Sequence, residues 1–81
     1  MIAKFPRIYD LALKKDVNGL ANYLYFLFKD CQVSEQDFGK LLFEVKHLLY
    51  DIYGWKMPDV YLVFVKLDNF IKHVGKNIDL T

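Results

Sequence analysis

Apolar residues recur at the same seven offsets in two stretches of the chain. Phe38, Leu41, Leu42, Val45, Leu48, Leu49 and Ile52 fall at 0, 3, 4, 7, 10, 11 and 14. Val60, Val63, Phe64, Leu67, Phe70, Ile71 and Val74 repeat the series. At about 100° per residue each set gathers on one helix face, as in an amphipathic helix packed on a core. The Val60–Val65 run is rich in β-branched and aromatic residues, and propensity alone favours a strand there. The helical spacing continues to Val74, too far for a typical strand, so a helix is expected.

Boundary signals complete the pattern. Pro6 suits the first turn of a helix that buries Phe5, Ile8, Leu11, Ala12 and the stem of Lys15. Asp16 is placed to cap a second helix, with Val17, Leu20, Ala21, Leu24, Leu27, Phe28 and Cys31 as its core stripe. Tyr23, Tyr25 and Phe26 widen that stripe, which suits a central helix. Ser34 and Asp37 approximate a capping box, and Val33 and Phe38 a hydrophobic staple. Gly54 can end the third helix in the left-handed conformation, with Trp55 folding back on its last turn. Pro58 and Asp59 suit the first turn of the fourth helix. Gly75 is the expected stop, leaving residues 76–81 as a tail. The fold class is therefore all-α: a small antiparallel four-helix bundle in one domain, residues 1–81. Its helices span about 6–15, 17–31, 35–53 and 58–74, with Leu48 near the bundle's centre.

Composition adds a functional clue. A chain of 81 residues and 9.6 kDa should bury about 63% of the surface its unfolded form exposes. Yet 54% of its residues are hydrophobic and 17% aromatic, more than one small core can hide. A contiguous apolar patch is expected, and with it a partner protein or a second copy of the chain. A homodimer is the expected state.

Charge and cysteine usage narrow the classes. Net charge is +1 and dispersed, which provides no electrostatic funnel for nucleic acid or anionic lipid. No apolar run approaches the ~18 residues of a membrane span. The single cysteine, Cys31, precludes an internal disulfide, and a cytoplasmic location is expected. Ten of the eleven basic residues are lysine, with Arg7 the one arginine. That bias, with abundant Phe, Tyr and Asn, suggests an AT-rich genome such as that of a phage or mobile element.

No catalytic constellation is present. His47 and His73 lack a ligand-spaced Cys, His or carboxylate, and His47 is four residues from Asp51, a helix-surface pairing distance. Cys31 follows Asp30, whose charge works against a reactive thiolate. Ser34 is a cap, the glycines are isolated and the carboxylates scattered. Neither enzymatic activity nor a cofactor is expected. Residues 30–39 have the outline of a helix-turn-helix, so a small dimeric DNA-associated transcriptional regulator is the alternative reading. Its would-be recognition helix, however, opens on Glu35 and Asp37 where phosphates would lie.

A second aromatic stripe is the candidate site. Phe43, Tyr50 and Tyr53 on the third helix, Trp55 at the corner, and Tyr61 and Val65 on the fourth lie off the core stripes. Such residues supply rigid contact area at protein interfaces, unless helix one covers them. In style the chain is similar to short helical immunity proteins, antitoxins and phage-encoded inhibitors. That likeness implies a stoichiometric, protein-binding role and carries over no individual residue.

Overall fold

In the computed structural model the backbone of residues 1–80 and the side chains of residues 1–73 are described. A short 3-10 turn at Ile2–Lys4 precedes four α-helices: α1 (Arg7–Leu13), α2 (Val17–Lys29), α3 (Glu35–His47) and α4 (Met57–Leu80). A π turn at Leu48–Ile52 prolongs α3. Among the described residues there is no strand, and Val60–Val65 is helical. The protein is an all-α bundle. The core is formed by Ile8, Leu11 and Ala12 of α1, and by Leu20, Ala21, Leu24 and Leu27 of α2. Phe38, Leu41, Val45 and Leu49 join them from the third element, and Val60, Val63 and Leu67 from α4.

α2 and α4 form the most extensive helix pair, consistent with the broad apolar arc of α2. Tyr25 packs on Phe70 with ring centroids 5.6 Å apart, and Phe28 on Phe38 at 5.2 Å. Offset or tilted aromatic pairs at this range add to simple area burial. Among the described residues no polar or charged residue is buried, so cohesion rests on apolar packing.

The caps follow the sequence. Asp16 accepts a hydrogen bond from the Gly19 amide at 2.9 Å, and Ser34 Oγ one from the Asp37 amide at 3.2 Å. Each satisfies one of the first-turn donors that have no intrahelical partner. A Cβ on Gly19 would collide with the Asp16 carboxylate and crowd Leu11. The glycine therefore lets the cap form under α1, whatever it costs in helix propensity. Gly54 adopts φ +65°, and the Trp55 amide returns to Leu49 O at 2.8 Å, closing the helix as expected.

Four sequence expectations are corrected. First, α4 does not stop at Gly75; its backbone stays helical to Leu80, so residues 76–80 are not a tail. Thr81 and the side chain of Val74 lie outside the described residues. A glycine costs an interior helical position only about 1 kcal/mol and need not end a helix. Second, Cys31 is exposed rather than part of the α2 stripe. It adopts φ +55° beyond the helix end, while the Gln32 amide bonds Leu27 O and the Cys31 amide bonds Phe28 O. This is a Schellman closure with cysteine in the usual glycine position. Third, α1 is shorter than 6–15, and Lys15 is exposed. It has φ +55° and closes α1 in the same way, through Asp16 N to Leu11 O and Lys15 N to Ala12 O.

Fourth, the core stripe of the third helix breaks at its C-terminal end. Leu49 is fully buried, Leu48 is only half-buried, and Ile52 is 69% exposed. The π turn explains the break. Its i→i+5 bonding, seen in Tyr53 N to Leu48 O, places one extra residue in the turn. Ile52 lies inside this widened turn, out of the α-helical phase, and is carried off the core face.

The two left-handed closures lead to a stability prediction. A non-glycine residue in this region costs about 1–2 kcal/mol, and the extra chain entropy of glycine returns about 0.4–1. Cys31→Gly should therefore raise stability by roughly 0.5–1 kcal/mol, read as a higher urea midpoint with an unchanged slope. An unchanged or lower midpoint would contradict the strain assignment.

Candidate protein-binding surface

The six aromatic and apolar positions of the second stripe do not form one surface. Trp55 is buried, at 4% exposure, and its indole Nε1 donates to Ala12 O at 2.9 Å. It is a core residue joining α1 to the α3–α4 connection, so it cannot anchor a partner. The left-handed Gly54 turns the chain back, and that same turn drives Trp55 inward. Tyr50 and Tyr53 are half-buried and pack against the core. Phe43 is 63% and Tyr61 69% exposed, while Val65 is half-buried. α1 does not cover Phe43; the nearer N-terminal element is the 3-10 turn, which packs beside α3.

The structure instead places Phe43 in a groove of about 310 Å³ between that 3-10 turn and the end of α3. Ile2, Phe43, Leu48 and Ile52 form its apolar lining, with Glu44, His47 and Asp51 at the edge. Phe43 meets the His47 ring edge-on, with centroids 4.5 Å apart. His47 Nδ1 lies 3.1 Å from Asp51 Oδ2, the helix-surface pair expected from their spacing. Glu44 Oε1 lies 3.8 Å from the amino group of Met1, and its Oε2 is buried without a hydrogen-bond partner. Phe43 is thus held by helix packing on one side and by His47 on the other.

Tyr61 and Val65 belong to α4, together with exposed Met57 and Leu62. None of these four lines the Phe43 groove. Further along α4, Lys72 Nζ bonds Asp68 at 2.9 Å, and this hydrogen bond together with the carboxylate's charge holds the ammonium above its ordinary pKa.

Ile52 is the groove residue that periodicity misassigns, because a π turn has no signature in residue type. Ile2 is also missed, since three residues of 3-10 helix are too few to show a period. A larger groove, about 530 Å³, opens at the α2–α3 junction beside Tyr25, Phe28, Cys31 and Val33. It contains no group of three or more metal-ligating side chains, and none exists elsewhere among the described residues. No helix among the described residues is long and apolar enough to cross a membrane. Compared with known proteins, the chain matches no family model, no curated protein and no solved structure.

Proposed function

We propose that this protein is a non-enzymatic module that works stoichiometrically in the cytoplasm by binding protein. Its role would be that of an inhibitor, an immunity or antitoxin-type factor, or a regulator encoded by a phage or mobile element. One observation carries the reading. Phe43 and Ile52 stand 63% and 69% exposed in the lining of an apolar groove. Large aromatic and aliphatic side chains held rigidly at a concave surface supply most of the energy at protein interfaces. Helix α3 fixes Phe43 before any partner arrives, which lowers the ordering cost of association. The acidic start of α3, at Glu35 and Asp37, gives the DNA-associated alternative no support.

The test is a pull-down from extract of the native cell, followed by affinity measurement on the captured partner. Phe43→Ala with Ile52→Ser should weaken binding at least tenfold, or about 1.4 kcal/mol. Melting should change little, because neither side chain is buried. Binding that survives the double substitution would remove this groove as the site.

A further inference from the structure

We infer that the occupant of the Phe43 groove is the Leu13–Lys14–Lys15 turn of a second copy of this chain. This rests on reading the groove as a protein-binding site. Leu13 is 70% exposed at the end of α1, outside the stripe that α1 buries. It is followed at once by two exposed lysines, and the left-handed Lys15 turns the backbone sharply at that point. The result is one projecting apolar side chain beside two cations.

The groove has the complementary composition. Its apolar lining of Ile2, Phe43, Leu48 and Ile52 is of a size to admit a leucine side chain, and its edge carries Glu44 and Asp51. Lys14 already bonds Asp10 at 3.2 Å, whereas Lys15 makes no ion pair among the described residues. Glu44 Oε1 lies 3.8 Å from the Met1 amino group and its Oε2 is buried, so the turn's lysines would meet the groove's carboxylates as charges of opposite sign at its rim. Asp51 is a second carboxylate in the groove's lining, beside His47. Apolar knob meets apolar cleft, and cations meet carboxylates. Knob and groove lie on the same chain, so in a two-fold pair each copy would insert its turn into the other and both contacts would be used twice.

Sedimentation equilibrium of the full chain over micromolar to millimolar concentration tests this. The wild type should rise above 9.6 kDa towards twice that mass. Leu13→Ser should weaken self-association at least tenfold; its site is exposed, and an unchanged thermal melt verifies the fold. The decisive arm uses two charge-altered chains, Lys14→Glu/Lys15→Glu and Glu44→Gln/Asp51→Lys. Each alone should stay monomeric because like charges face each other, and an equimolar mixture should associate. A wild type at 9.6 kDa throughout overturns the inference, as does association indifferent to Leu13→Ser or a mixture that stays monomeric. If the wild type is monomeric but Phe43→Ala/Ile52→Ser abolishes binding of a different protein, self-docking fails and the binding groove stands. If that double variant binds every partner as the wild type does, the groove reading itself fails.

Discussion

Leu49→Asp should abolish cooperative unfolding, while Leu48→Asp, one residue earlier, should leave a folded protein that melts at a lower temperature. Leu49 is fully buried between α3 and the rest of the core, and Leu48 is half-buried at the edge of the Phe43 groove. A domain of this length has about 4–12 kcal/mol of total stability at typical values per residue. An uncompensated charge in an apolar core costs several of those, and the lost leucine contacts cost roughly 2–5 more. Among the described residues no charged residue is buried to pair with the new carboxylate. At position 48 the carboxylate can reach water through the groove and avoid most of the desolvation cost. Circular dichroism melts of the two variants decide the matter. Equal loss at both positions would mean that Leu48 is packed as deeply as Leu49 and that the groove gives its side chain no path to water.

That pair of leucines also marks where the sequence stops being legible. Periodicity locates both long amphipathic stretches because each helical turn repeats the same demand for a buried side chain. The caps at Asp16, Ser34 and Gly54 are legible for a similar reason, since each residue type answers a local need of the backbone. A π turn is different. It inserts one residue into the helical turn without calling for any residue type, so nothing in the sequence marks it. The Schellman closures at Lys15 and Cys31 are hidden because the residues occupying them are poor choices for that conformation, and sequence logic looks for glycine there. The aromatic flank dissolves for a third reason. Angular position on a helix predicts which residues leave the core stripe, but it cannot say whether a connection such as Gly54–Trp55 folds back beneath them. So the fold was readable from local rules, whereas the flank was not legible as one surface: Phe43 stands exposed at a groove, while Trp55 turns inward.

Trp55→Ala should be the most damaging substitution that introduces no charge, lowering stability by about 3–5 kcal/mol. For a chain of this size that corresponds to a fall in melting temperature of roughly 15 °C or more. Trp55 fills the space between α1 and the α3–α4 connection, and its indole N–H reaches Ala12 O across 43 residues of sequence. Trp55→Phe separates the two contributions. It keeps an aromatic ring in the core but loses the hydrogen bond, worth about 0.5–1.5 kcal/mol net. The carbonyl is not stranded by this change, because Ala12 O also accepts from the Lys15 amide, so a loss near the lower end is expected. The damage should also be localised. α1 is seven residues long and packs chiefly on α2, and the indole bond adds a directional tie to the α3–α4 connection beside its apolar contacts. Native-state hydrogen exchange on Trp55→Phe should show α1 amides opening at lower free energy than those of α2, as a separate unit. Uniform loss of protection across all four helices would show instead that Trp55 acts only as core volume. In that case the polar link between the first helix and the corner would contribute nothing of its own.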